Sequence, residues 1–349
     1  MKSRRKFIGA TLGITAASLF PQSLWAGEHN RCPEMLLPPR LKKGDTIGLI
    51  APGYSISAEV VEDIKKTILE MGFLPYHTPR ILGVNGYFSG SDTDRANDLN
   101  EMFANPKING ILCARGGYGC TRILHLLDYG TIRNNPKVLI GFSDVTALLN
   151  GIHKETGLIG FHGPVGSTLD DPYSISQLEK VLIHPEPDLI IKNYPDLERK
   201  LLADPMYERY VIRAGKAYGK LVGGSLTLMT ALIGTPHEID CTDAIVCIED
   251  VDEAPYRIDR MLTQLIQGET FKNAAGIAFG VCSGCKPKPY RKSFSLKEVV
   301  LDRIAPLGIP AVYGMSFGHV KNNFTFPIGM EATLDATAMQ IQLAGTAVL

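Results

Sequence analysis

Three residues of this 349-residue chain, Ser143, Glu249 and His319, have types and settings that could together open an acyl bond. Ser143 follows the apolar run 138–140 and an abrupt turn at Gly141. It precedes a helical pattern with Val145, Leu148, Leu149 and Ile152 on one face, closed by Gly157. A tight strand-to-helix turn lifts a side chain out of a sheet and aims the first N–H groups of the helix at the same spot. A hydroxyl nucleophile and an oxyanion site then coincide. The hydrolase form of such a turn is G-x-S-x-G; here Val145 replaces the second glycine. On this segment alone, Ser143 or Asp144 as a plain helix cap is the better account. Glu249 ends the strand-like AIVCI, and His319 ends AVYGMSFG. In that chain order His319 could take the proton of Ser143 while Glu249 orients and balances the imidazolium. A lone strand-end histidine is more often structural; three complementary types at three strand ends tilt the balance toward chemistry.

Other candidates surround these. The loop Arg115-Gly116-Gly117-Tyr118-Gly119 could give a second oxyanion donor, because glycine lets backbone N–H groups approach a ligand, or it could hold phosphate. It fits neither G-x-G-x-x-G nor the Walker pattern, and no Gly-Lys is followed by Ser or Thr, which argues against nucleotide hydrolysis. Ser225 in LVGGSLTLM is a rival nucleophile that reads better as a helix cap, and His162 in GFHGP reads as a packing or supporting residue. No H-E-x-x-H and no dense His/carboxylate cluster occurs, so neither metal nor cofactor is implied.

The elements that must position these groups are legible as alternation. GDTIGLIAPG, FLPYH, INGILCA and the run before Ser143 read as strands. SAEVVEDIKKTILEMG, capped by Ser57, and DTDRANDLNEMFANP read as helices between them. Such alternation predicts an α/β fold with a Rossmann-like, doubly wound parallel sheet over residues 27–170, whose ligands sit at the strands' carboxyl ends. Residues 171–213 lose the rhythm and read as an irregular connection; 214–349 read as a second, mixed α/β, barrel-like domain. Its final segment, ATLDATAMQIQLAGTAVL, alternates as exposed-edge strands do.

With 45% hydrophobic and 21% charged residues the chain can bury cores for two domains. Lys plus Arg and Asp plus Glu both number 36 without a long single-sign run, so nothing suggests nucleic acid or a membrane surface, and small-molecule partners are expected. Residues 1–26 combine Arg4-Arg5 with an apolar run too short to cross a bilayer. They read as a twin-arginine export signal cleaved near Ala26, which places the mature protein in a periplasm. The cysteine count is odd at seven. Cys282 and Cys285 form a C-x-x-C with no second pair at zinc spacing, and a structural role is favoured over redox chemistry.

In order, GDTIGLIAPGYSIS, GYFSGSDTDRANDLNEMF, ARGGYG, LIGFSDVTALL, GFHGP, IEDVDEAPYRIDRML and FGHVKNNFTFPIG resemble the LD-carboxypeptidase and microcin-immunity family of serine peptidases over residues 43–335. The resemblance implies Ser143 as nucleophile, Glu249 as carboxylate with Glu253 as a rival, and His319 as base. It further implies oxyanion donors from the N–H groups of Asp144 and of the glycine loop, chiefly Gly117, and usually a homodimer. It points to removal of the terminal D-alanine from murein tetrapeptides, with Arg115, Arg257 and Arg260 as candidates for the D-alanine carboxylate. A microcin-type peptidase acting on aminoacyl-nucleotide analogues ranks second, since the chain's one tryptophan, Trp25, lies in the signal. A muropeptide-binding protein without turnover ranks below it. The family commonly has Asn where this chain has Ser225, and export is unusual for it.

Overall fold

Runs of Ile, Leu and Val bounded by glycine or proline turns form the strands, and apolar stripes between them form the helices that cover the sheet. The computed structural model describes residues 33–195, 204–289 and 292–349. The expected export signal, Trp25 and Cys32 lie outside the described residues. Five strands come first: β1 (Thr46–Ile50), β2 (Leu74–Tyr76), β3 (Gly110–Cys113), β4 (Val138–Gly141) and β5 (Gly160–His162). The second half supplies β6 (Ile190–Lys192), β7 (Tyr210–Arg213), β8 (Lys216–Ser225), β9 (Ile245–Glu249), β10 (Gly276–Phe279), β11 (Ala311–Tyr313), β12 (Phe326–Ile328), β13 (Glu331–Asp335) and β14 (Gln340–Leu343).

The first sheet runs β2-β1-β3-β4-β5 in parallel, as the alternation predicts, and β12 closes its far edge antiparallel to β5 with Phe326 opposite His162. Helix Ala58–Glu70 begins at Ser57, whose hydroxyl accepts from Val60 N–H. Helix Asp92–Ala104 begins at a Ser91/Asp94 capping box, and helix Thr146–Thr156 ends at Gly157 in the left-handed conformation. The second sheet runs β6-β14-β13-β8-β9-β10-β11-β7 and is mixed, with a parallel centre of β8 to β11.

Two expectations need correction. The stretch 171–213 is not irregular throughout: it holds helix Pro172–Leu182, capped by Asp171, and the edge strands β6 and β7. Strands of three or four residues bury too little to leave a strong sequence pattern, and they persist by pairing with β14 and β11. For the same reason β13 and β14 are not edges. β14 is paired on both sides, by β13 and β6, and the alternation of these strands reflects one covered and one open face.

One hydrophobic core runs through both sheets. The seam between them is polar and buried. Asn150 donates from Nδ2 to Gly223 O (2.8 Å) and to Thr146 O (2.8 Å), while its Oδ1 accepts from Gly223 N (3.0 Å). Ser225 N donates to Thr146 Oγ1 at 3.0 Å. Gly224 sits at φ 135°, and a side chain there would run into the Thr146 hydroxyl. Helix Thr146–Thr156 of the first sheet is thus hydrogen-bonded to the end of β8 in the second. Asn150→Ala leaves both polar groups of Gly223 unpaired in the interior. It should lower the unfolding free energy by about 2–4 kcal/mol, read as a lower urea midpoint at unchanged slope.

Candidate active site

β4 brings the chain to Phe142, and the backbone then turns so sharply that Ser143 has φ 63°, a left-handed conformation that costs a non-glycine residue energy. One 3-10 turn, Ser143–Val145, leads into helix Thr146–Thr156, so the serine points off the carboxyl end of the sheet at the start of a helix. Backbone strain at a half-buried hydroxyl separates Ser143 from an ordinary cap, and its side chain caps nothing.

Glu249 is the last residue of β9 and has 0% exposure. His319 stands six residues past the end of β11, on a loop rather than at a strand end as the sequence suggests. The loop is held by a bridge between Val281 and Gly318. Gly318 has φ 107°, and a Cβ there would meet Glu249 Cβ at 2.9 Å, so glycine is what lets the loop lie on the carboxylate. The three side chains form one chain of hydrogen bonds: His319 Nε2 lies 3.0 Å from Ser143 Oγ, and His319 Nδ1 lies 2.7 Å from Glu249 Oε2. The Phe142 ring packs against the imidazole at 4.8 Å between centroids.

The glycine loop lies beside the serine. A Cβ on Gly116 would stand 3.2 Å from Ser143 Oγ, and one on Gly117, at φ 114°, would strike the Tyr54 ring. Asp144 locks this loop: it is 1% exposed, and its Oδ2 accepts from Cys120 N at 2.8 Å. Burial raises the Asp144 pKa, opposed by the Cys120 and Gly119 N–H groups and by Arg95. Arg115 is half-buried, donates to Ser55 O (3.1 Å) and lies over the Tyr54 ring (5.5 Å), whereas Arg257 and Arg260 are exposed. A cleft of about 780 Å³ is lined by Asp252, whose charge acts on His319, and by Tyr256, Arg257, Lys288 and Phe294, but by none of Ser143, Glu249 and His319 themselves.

The other candidates fall elsewhere. Ser225 is a buried helix cap accepting from Leu228 N, in register with Glu249 on the neighbouring strand. Glu253 pairs with Arg257 at 3.2 Å and receives no bond from His319. Cys282 and Cys285 are free, buried thiols, and Cys285 Sγ accepts from Glu253 N at 3.3 Å. Among the described residues no three His, Cys, Asp or Glu side chains are grouped to hold a metal ion. Sequence reading passes over Tyr54, Phe142, Thr146, Asn150 and the carboxylate of Asp144. In the sequence these are ordinary strand-turn and helix residues, and Asp144 reads there only as an alternative helix cap and a backbone N–H donor.

Such a hydroxyl, imidazole and buried carboxylate, with glycine amides close by, can attack a carbonyl, shuttle its proton and hold the resulting oxyanion. Residues 47–163 match the LD-carboxypeptidase N-terminal domain model and 218–334 the LD-carboxypeptidase C-terminal domain model. The chain is 37% identical to a probable murein peptide carboxypeptidase of Bacillus subtilis, over 85% of this chain and 91% of that protein. It is 30% identical to the murein tetrapeptide carboxypeptidase of Pseudomonas aeruginosa, over 84% and 94% respectively. The solved MccF-like protein of Bacillus anthracis superposes with a TM-score of 0.76 at 29% identity, covering 89% of this chain and 99% of that one. The chain belongs to the LD-carboxypeptidase and microcin-immunity family, and it is a peptidase.

Burial pulls the His319 pKa down. The charge and hydrogen bond of Glu249, helped by Asp250 and Asp252, outweigh it and leave the pKa above the ordinary imidazole value. A base must be neutral to accept a proton, so a raised pKa removes activity at a higher pH. The acid limb of kcat/KM should therefore lie above pH ~6.5, the value of a free imidazole. A pH–rate profile checks this.

Proposed function

We propose that the protein is a serine LD-carboxypeptidase that removes the terminal D-alanine from murein tetrapeptides, cutting after the L-configured centre of the third residue. The reading is carried by the Ser143–His319–Glu249 hydrogen-bond chain with the glycine loop against the serine hydroxyl. The names borne by the B. subtilis and P. aeruginosa relatives support the substrate. Ser143 Oγ attacks the scissile carbonyl and passes its proton to His319 Nε2, while Glu249 balances the imidazolium at Nδ1. The N–H groups of Asp144 and Gly117 receive the oxyanion. His319 then gives the proton to the departing D-alanine amine, and water activated by the same imidazole releases the tripeptide. Arg115 is the cation assigned to the D-alanine carboxylate, because it is half-buried and anchored beside Gly116, while Arg257 is exposed and engaged with Glu253. The cleft beyond Asp252 leaves room for the rest of the peptide. Arg4 and Arg5 support a periplasmic setting for this reaction, and the family resemblance supports a homodimer.

One feature favours a second substrate. Tyr54, Tyr87, Phe88 and Tyr118 cluster beside the glycine loop, with Tyr87 and Tyr118 exposed, and aromatic rings of this kind can stack a nucleobase. An aminoacyl-nucleotide analogue would then take the place of the peptide, as in the MccF structure solved in complex with glutamyl sulfamoyl guanosine, 25% identical to this chain at a TM-score of 0.79. Mass spectrometry of a disaccharide tetrapeptide incubated with residues 27–349 separates the two readings. The expected result is loss of one D-alanine with the wild type and none with Ser143→Ala. An unchanged tetrapeptide with folded wild-type protein overturns the murein reading in favour of the nucleotide-linked one.

A further inference from the structure

Arg95, on helix Asp92–Ala104, is 2% exposed, and no step of the mechanism above uses it. A buried guanidinium needs partners for its donors. Its Nη2 donates to Asp92, and the cation lies over the Phe88 ring at 4.5 Å, contacts that would suffice for a role in folding alone. Nη1 is spent differently. It donates to Gly119 O at 3.0 Å and to Pro52 O. These carbonyls belong to two separate loops, 52–54 and 116–120, that abut each other against the serine turn.

The Gly119 carbonyl and the Cys120 N–H belong to one peptide unit. Arg95 holds its oxygen at 3.0 Å and Asp144 Oδ2 its N–H at 2.8 Å, so that unit is gripped from both edges. Gly119 has φ 128°, and a Cβ there would stand 2.7 Å from Arg95 Nη1 and 2.7 Å from the Phe88 ring, so glycine is what admits the guanidinium. At the other end of the glycine loop, Tyr54 N donates to Gly116 O at 3.3 Å, and the Tyr54 ring lies 2.4 Å from where a Gly117 Cβ would be. Tyr54 is two residues past Pro52, whose carbonyl Arg95 also holds. Gly53 lies between them and packs on both neighbours: a Cβ there would stand 2.9 Å from Gly116 O and 3.2 Å from Asp144 Oδ2. Both flanks of Gly117 therefore trace back to one side chain.

We propose that Arg95 is a positioning residue for the oxyanion site: it holds loops 52–54 and 116–120 in the one arrangement that aims the Gly117 N–H at the space beside Ser143 Oγ. The inference rests on the reading of Ser143 as nucleophile and of the glycine loop as oxyanion donor, and not on the identity of the substrate. A donor stabilises a developing oxyanion only if it is already in place, since reorienting it at that moment costs the energy it would return. A loop with glycine at three of its five positions has too much backbone freedom to keep an N–H in place unaided. A buried, planar cation bonded to carbonyls of both loops removes that freedom. Its charge also opposes the burial that raises the Asp144 pKa, which favours the ionised carboxylate that accepts from Cys120 N.

The test follows the Gly117 amide of the intact protein by NMR. Glycine carrying 13C at the carbonyl and 15N at the nitrogen gives a linked signal only at Gly-Gly pairs, and the chain has two, Gly116-Gly117 and Gly223-Gly224. The second pair lies at the seam between the sheets and reports on the fold. When a fluorophosphonate modifies Ser143, the wild-type Gly117 proton should move downfield as the phosphonyl oxygen accepts from it, with Gly224 unmoved. Arg95→Met keeps the bulk and removes the donors. It should slow labelling about 10- to 100-fold, and its adduct should leave the Gly117 signal unshifted while Gly224 keeps its wild-type position. A wild-type labelling rate, or a Gly117 shift like that of the wild type, alongside a lower urea midpoint would show a role in stability alone and overturn the proposal. Should Arg95→Met not fold, Arg95→Lys, which keeps the charge but can reach only one of the two carbonyls, must slow labelling and shrink the Gly117 shift. A wild type that is labelled with Gly117 unmoved contradicts the glycine-loop reading, and one that the probe never labels contradicts the nucleophile; either result overturns the inference at its foundation.

Discussion

A hydrogen-bond chain drawn from two sheets holds only if the sheets cannot slide, and here that constraint rests on the buried seam of Thr146 and Asn150 against Gly223, Gly224 and Ser225. Helix Thr146–Thr156 starts three residues after Ser143, so its position fixes the serine. Ser225 is in register with Glu249 across the β8–β9 pair, so the position of that corner fixes the carboxylate. The same few hydrogen bonds therefore set the distance that His319 must bridge. A neutral seam suits the task, since amide and hydroxyl groups demand fixed geometry for their bonds without the desolvation cost of a buried ion pair.

Around this seam the site spends conformational strain where chemistry needs it. Ser143 is held at φ 63° by the strand before it and the helix after it. Gly117 and Gly318, at φ 114° and 107°, let the backbone pass where a side chain would strike Tyr54 or Glu249. Asp144 links the serine turn to the glycine loop. Its backbone follows Ser143, and its buried carboxylate ties down Cys120 at the end of the glycine loop. A change in that loop is thereby felt at the serine turn.

Much of this was legible in the sequence because it is local. The parallel sheet shows as strands alternating with capped helices, and Ser143 and Glu249 stand at strand ends as the apolar runs before them require. What stayed hidden depends on partners far along the chain. The three-residue β12 joins the first sheet only through β5, more than 150 residues earlier in sequence, and β6 and β7 exist only as edges of the second. His319 was identifiable by type but not by placement, because the loop carrying it is shaped by Gly318 lying on Glu249 rather than by a strand. Thr146 and Asn150 read as unremarked helix residues until the second sheet is set against them. Ser225 shows the converse: a serine on a strand-turn-helix looks like a nucleophile in one dimension, but its hydroxyl is buried and accepts from Leu228 N.

The most direct test of the central claim is the site of covalent capture. Wild-type protein treated with a fluorophosphonate, digested and mapped by mass spectrometry should carry the adduct on the peptide containing Ser143, and His319→Ala should lose it. An adduct on Ser225, or labelling that survives loss of His319, would contradict the assembly described here.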